Sequence, residues 1–301
     1  MSPATKPNVV FILTDDQRWD AFGAAGSPVA TPNMDALVER GTWFTHAHVA
    51  GGTAAAICMP SRAMINTGRS LFQLEDQGRS VPSGHRLLGE VFRDAGYTTF
   101  GTGKWHNGRE AFARSFADGD EIFFGGMANH WNVPAYHYDP SGRYDAAFPR
   151  IDRPMENNDV TWIGADHVTP GRHSSDLIAD ATVRFLSDQP KDPHAPYYVY
   201  ASFLAPHDPR SMPAEFLEQY RPEDIDLPPN FMGGHPFDNG DLHIRDEMLA
   251  GFPRDPHEVR RHIAEYYAMI AHLDACIGRI VDAVQERGEL ENTIFVLAGD
   301  N

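Results

Sequence analysis

The sequence has only two cysteines in 301 residues, Cys58 and Cys276, too few for a disulfide framework and without the paired spacing of a zinc site. It has no apolar run approaching the roughly 18 residues of a membrane-spanning helix. Its first residues, Met1 to Pro7, lack the charged-then-apolar layout of an export leader. As written, the chain reads as cytoplasmic, and the same sequence would be periplasmic or secreted if an export signal had been removed. Basic residues are scarce, 25 Lys and Arg against 42 Asp and Glu for a formal charge of −17. That balance opposes general attraction to nucleic acid or anionic membrane. An anionic small substrate would need a locally positive pocket. No internal repeat or low-complexity tract is present, and 42% hydrophobic with 22% charged residues is the profile of a globular chain with a sizeable core.

Three apolar runs have the length and composition of buried parallel strands: Asn8 to Leu13, Pro196 to Phe203 and Thr293 to Ala298. Each finishes in polar residues, at Asp15-Asp16, at Pro206-His207 and at Asp300-Asn301. Helical patterns alternate with them: Pro32 to Arg40 after a Thr31 cap, Leu87 to Ala95 stopped by Gly96, and Ser175 to Ser187. The longest, Pro256 to Arg287, has Asp255 at the cap, Pro256 at the first position and Glu258 three residues on from the cap. This alternation predicts an α/β fold, a mostly parallel central sheet flanked by helices on both faces. Ligands of such sheets bind beyond the carboxyl ends of the strands, which gathers Asp15, Asp16, His207, Asp300 and Asn301 towards one rim. The stretches Asp118 to Arg172 and Arg221 to Asp255 lack periodicity but are rich in Gly, Pro, His and aromatics, and are expected to be ordered excursions over that rim. In the first, Trp131, Tyr136 and Tyr138 suit core or loop packing better than a sugar-stacking wall.

Two carboxylates after one strand are more often a turn or a cap than a metal site. Four oxygen donors from two strand ends shift the balance towards a hard divalent cation, calcium, magnesium or manganese rather than zinc or copper. The cysteines differ in context. Cys276 sits in a helical pattern and reads as a small buried hydrophobe. Cys58 follows the run Gly51 to Ala56 and precedes Pro60, poor surroundings for a plain core position.

Cys58-Met59-Pro60-Ser61-Arg62 resembles the signature Cys-x-Pro-Ser-Arg of the formylglycine-dependent sulfatases, within the alkaline phosphatase superfamily, at all four fixed positions. The resemblance extends over nearly the whole chain: Thr31 to Asp35 with Gly41 and Phe44-Thr45, Thr67-Gly68-Arg69, Gly101 to His106, and Ala205 to Arg210. It implies a sulfuric ester hydrolase in which Cys58 is oxidised to formylglycine (3-oxoalanine), whose hydrate attacks sulfur while bound to a cation, most simply calcium. It further implies metal ligands at Asp15, Asp16, Cys58, Asp300 and Asn301. Arg62 would hold the diol and balance the carboxylates. Lys104 would bind sulfate, His106 would serve as the base for the elimination step, and His207 would touch the sulfate and assist departure of the alcohol. Arg210 is a candidate for recognising an acidic group on the substrate, with an ion pair to Asp208 or a neighbour as the alternative.

The substrate implied is a sulfate ester, a carbohydrate sulfate in preference to a small aryl or alkyl one, and the partner implied is a formylglycine-generating enzyme. Sequences of this family continue past the second metal-ligand pair into a smaller carboxyl-terminal subdomain. Residues 1–301 are therefore expected to be the amino-terminal part of the catalytic domain, truncated after that pair. Two other functions fit the same residues. One is hydrolysis of phosphonate monoesters or phosphodiesters by the same nucleophile. The other is a non-catalytic fragment that binds sulfated glycans or a partner chain.

Overall fold

The computed structural model describes residues 6–49, 51, 57–153, 155–190, 195–238 and 240–301. Met1 to Thr5 and most of the glycine- and alanine-rich run before Cys58, Gly52 to Ala56, lie outside them. In chain order the main elements are β1 (Asn8–Thr14), α1 (Pro32–Arg40), α2 (Cys58–Thr67), α3 (Leu88–Asp94), β2 (Thr98–Lys104), α4 (Arg109–Ser115) and β3 (Asp118–Phe123). There follow β4 (Pro134–Ala135), β5 (Ala147–Ile151), β6 (Val160–Gly164), β7 (His167–Val168), α5 (Ser174–Asp188), β8 (Tyr197–Ser202), α6 (Ala214–Leu217), α7 (Pro256–Glu286) and β9 (Thr293–Gly299).

Five strands form one parallel sheet in the order β3-β2-β8-β1-β9. Alternation of side chains across the sheet divides the core. One face carries Val10, Ile12, Phe100, Val199 and Ala201 against Ile178 and Phe185 of α5 and Met269, Leu273 and Ile277 of α7. The other carries Val9, Leu13, Tyr198 and Tyr200 against Ala63 of α2 and Phe112 of α4. Burial on both faces accounts for the uninterrupted apolar runs of β1 and β8. β9 departs from that expectation. It pairs only with β1 among the described residues, lies at the sheet edge and is partly exposed along its length, with Ile294 50% exposed.

α7 begins as the capping pattern requires, the Asp255 carboxylate accepting from the backbone N–H groups of His257 and Glu258 at 2.6 and 3.3 Å. α1 does not. Thr31 makes no side-chain cap; its hydroxyl accepts from Gly23 N–H and donates to Asp35. The orphan N–H groups of Asn33 and Met34 are taken instead by the carboxylate of Asp274 on α7, at 3.2 and 2.8 Å. In the 118–172 stretch the sequence pattern missed β3, an edge strand with a bulge opposite Thr102 and Gly103, and the antiparallel hairpin of β5 and β6. Tyr136 is buried there and Trp131 lies edge-on to His173, so both pack as loop and core residues. No described helix is long and apolar enough to cross a membrane.

Candidate active site

The carboxyl ends of four neighbouring strands converge on one side chain. Arg62, one turn into α2, is fully buried. Its Nε donates to Asp300 Oδ2 at 2.8 Å, beyond β9. Its Nη1 donates to the Lys104 carbonyl at 2.7 Å, at the end of β2, and to the Ser202 hydroxyl, at the end of β8. Its Nη2 lies 3.7 Å from Asp15 Oδ2, beyond β1. A planar donor fork can satisfy several directions at once, as a lysine at this place could not.

Lys104, also fully buried, ion-pairs with Asp15 and directs Nζ to 3.5 Å from Cys58 Sγ. Cys58 is the first residue of α2, and His106 Nδ1 lies 3.6 Å from its sulfur. The close passage of β2 beside β8 depends on Gly103, with φ +81°, where a Cβ would stand 1.9 Å from the Ser202 carbonyl oxygen. Two non-glycine residues of the site, Asp16 at φ 60° and His106 at φ 70°, occupy the left-handed region, backbone strain of the kind concentrated at working sites.

Opposite charges offset one another here, but burial dominates. It pushes the Cys58 thiol above its usual range, an effect that Lys104 opposes and Asp15 reinforces, so an unmodified Cys58 is a protonated and weak nucleophile near neutrality. Burial likewise raises Asp16 and brings Asp300 to about 6. Burial, with Lys104 next in effect, lowers His106 to about 3, leaving its imidazole neutral.

The donor set fits a hard divalent cation. Ligand atoms of Asp15, Cys58 and Asp300 lie within 4.8 Å of one another, as do those of Asp15, Asp16 and His207, and Asp15 Oδ1 is buried without a hydrogen-bond partner. Asn301 joins the group by donating to Asp300 Oδ1 at 2.9 Å, and Asp16 N–H donates to the same oxygen at 3.3 Å. His207 Nδ1 donates to the carbonyl of Asp208 at 2.8 Å, which turns Nε2 towards Asp16 Oδ2, 3.5 Å away.

Nine of the ten residues singled out from the sequence therefore meet at one rim. Arg210 is held apart. Its Nε donates to Glu265 Oε2 at 2.9 Å, the ion-pair alternative, with Glu265 rather than Asp208 as partner, since Asp208 is taken by Arg245. Sequence reasoning missed Ser202, whose hydroxyl also donates to the Lys104 carbonyl at 2.7 Å, and Asn107, which ties α2 to the loop before α3 through the carbonyls of Met59 and Gly78 at 2.9 and 2.7 Å. It also missed Tyr266, whose hydroxyl donates to the Asp16 carbonyl at 2.7 Å. Asn107 follows His106 directly and was the one within reach of a motif reading. A cavity of about 390 Å³ at the outer edge of β3, lined in part by Asp120, His137 and Arg184, touches none of the ten.

An ulvan-active sulfatase of Formosa agariphila is 29% identical over 307 residues, covering 99% of this chain and 50% of that protein. The chain thus spans about half the length of that relative. A solved structure in complex with its substrate D-glucosamine-2-N,6-O-disulfate superposes with a TM-score of 0.70 at 21% identity, covering 98% of this chain and 65% of the other. The phosphonate monoester hydrolase of Agrobacterium radiobacter gives 0.68 at 18% identity, covering 98% and 62%. At these identities the two structures establish the fold alone. The sulfatase family model matches residues 7–301, and with that match over almost the entire length the chain belongs to the sulfatase family.

Proposed function

We propose that the protein hydrolyses organic sulfate esters, a carbohydrate sulfate in preference to other classes, through a formylglycine made from Cys58. The observation that carries this reading is the position of Cys58, at the start of α2 within 3.5 Å of the Lys104 ammonium and 3.6 Å of a neutral His106. A plain thiol at this position has no easy way to release sulfate once bonded to it, whereas a hydrated aldehyde would offer one hydroxyl for attack and a second whose loss of a proton would expel sulfate. The carbohydrate preference draws on the ulvan-active relative.

A divalent cation among Asp15, Asp16, position 58, Asp300 and Asn301, calcium by the hardness of the donors with magnesium or manganese as alternatives, would supply Lewis-acid polarisation. The chain's own residues do the rest. Lys104 offsets Asp15 and presents its ammonium to a sulfate oxygen. His106 Nδ1 accepts a proton from a hydroxyl at position 58. His207 directs Nε2 into the rim, where it meets the leaving alcohol. Arg62 holds both carboxylates in register. Residues 1–301 supply this constellation as the amino-terminal part of a catalytic domain.

Maturation requires a formylglycine-generating enzyme. Coexpression with one, followed by peptide mass spectrometry across Cys58, is expected to show loss of about 18 Da or the corresponding hydrate. An unmodified thiol under those conditions would favour a non-catalytic relative. The converted protein should then hydrolyse an aryl sulfate more efficiently than a phosphonate monoester. The reverse order would replace the sulfatase reading with the phosphonate one.

A further inference from the structure

Asp15 and Asp16 follow directly on β1, and had the chain run on as a strand their side chains would point to opposite faces of the sheet. They do not. Asp16 sits in the left-handed region at φ 60°, and ligand atoms of Asp15, Asp16 and His207 lie within 4.8 Å of one another. Convergence of the two carboxylates therefore depends on a backbone conformation that disfavours any residue with a Cβ. Some contact must hold it.

Tyr266, in the first half of α7, is placed to do so. Its hydroxyl donates to the Asp16 carbonyl at 2.7 Å and accepts from the Arg18 N–H at 2.9 Å, so one oxygen bridges the two ends of the turn. The ring packs against the core face that α7 shares with the sheet. Burial pushes the phenol up, which leaves it a neutral hydroxyl able to donate and accept at once. On its other side the turn meets β9, where a Cβ on Gly299 would stand 3.1 Å from the Gln17 carbonyl oxygen. The Asp16 N–H is bonded at 3.3 Å to Asp300 Oδ1, a longer contact and one made to a candidate ligand. Tyr266 lies outside the ligand set, so its hold on the turn does not compete with a cation.

We propose that Tyr266 is a positioning residue for the cation site: through the peptide groups of Asp16 and Arg18 it fixes the left-handed turn that brings the Asp16 carboxylate beside that of Asp15, and so sets the affinity for a hard divalent cation. The inference rests on the metal reading of the strand ends given above. Without the hydroxyl, the Asp16 carbonyl and the Arg18 N–H lose their shared partner, and the turn can relax from φ 60°. The Asp16 side chain is 37% exposed, so it has room to swing away from the rim. Groups that orient a ligand in this way typically change metal affinity by about 10–100-fold.

The test is Ca²⁺ binding by calorimetry on the full 301-residue chain after treatment with a chelator. Tyr266→Phe keeps the ring and its packing and removes only the oxygen. It should weaken Ca²⁺ binding at least about tenfold with the circular dichroism unchanged. A cycle with Asp16→Gly separates positioning from general loosening, because glycine accepts φ 60° but has no carboxylate to place. In that background Tyr266→Phe should change Ca²⁺ affinity by less than about twofold, whereas a loosened fold would weaken binding equally in both. Hydrogen exchange supplies a second measurement that needs no variant: the Arg18 amide should be protected in the parent chain before Ca²⁺ is added. Ca²⁺ affinity unchanged by Tyr266→Phe overturns the proposal, as do equal weakening in both backgrounds and a freely exchanging Arg18 amide. A parent chain that binds no Ca²⁺ overturns the metal reading itself and this inference with it, an outcome distinct from the other three.

Discussion

At the strand ends, Asp15, Lys104, Ser202 and Asp300 come from four different strands and are held by one guanidinium, with Arg62 reaching Asp300 across 238 residues of sequence. Between α5 and α7, His272 and Cys276 are set on one face by helical pitch alone, and a single residue from the facing helix completes the group. Both regions bury polar and ionisable side chains. The first matches two cations, Arg62 and Lys104, to two carboxylates, Asp15 and Asp300, yet leaves Asp15 Oδ1 without a hydrogen-bond partner. The second is closed by its own contacts, Asp176 meeting His272, Cys276 and Arg279, and leaves His272 Nδ1 buried without a hydrogen-bond partner.

The largest effect that would break this comparison is expected from Arg62→Ala. It leaves Asp15 and Asp300 buried beside only one remaining cation, Lys104, and should destabilise the fold by about 3–5 kcal/mol in urea unfolding. A loss below about 1 kcal/mol would mean that the strand ends are not held as described. Acid titration comes next. Burial lowers His130 to about 4, below the value near 6.5 of an unfolded histidine. Its neutral form is the one that suits the fold, so this contribution is fully present above about pH 6.5 and is lost as pH falls towards 4, at up to about 1.4 kcal/mol per pH unit. His130→Gln should flatten the slope of stability against pH in that window, and an unchanged slope would remove His130 from the account.

Ser202→Ala should cost about 1–2 kcal/mol. One Arg62 donor loses a partner but keeps the Lys104 carbonyl, so thermal unfolding should show a smaller shift than Arg62→Ala. The smallest effect belongs to Arg210→Ala. Its ion pair with Glu265 is partly exposed, and stability should change by less than about 1 kcal/mol. An increase in KM for an acidic sulfated substrate, with kcat unchanged, would instead restore Arg210 to substrate recognition.

What could be seen in the sequence was local. The apolar runs of β1 and β8, the Asp255 cap of α7 and the pentapeptide from Cys58 to Arg62 each declare themselves within a few residues, and the strand-end rule then collects Asp15, Asp16, His207, Asp300 and Asn301. What could not be seen depended on a partner distant in sequence. Thr31 has the identity of a cap, but the helix it precedes is capped by Asp274, 240 residues from Met34. Cys276 reads as an ordinary buried residue until Asp176 is brought beside it from α5. Arg210 had Asp208 beside it in sequence, but its ion-pair partner is Glu265, 55 residues away on α7.

β9 has a further consequence for the chain handled by itself. Its outer edge has no paired strand among the described residues, and Thr293 to Ala298 contains no charge and no proline. Such an edge is a template for intermolecular strand pairing. The element that leads to Asp300 and Asn301 is therefore also the surface on which concentrated solutions of these 301 residues would begin to aggregate, and a strand laid along it would protect solubility and metal ligands together.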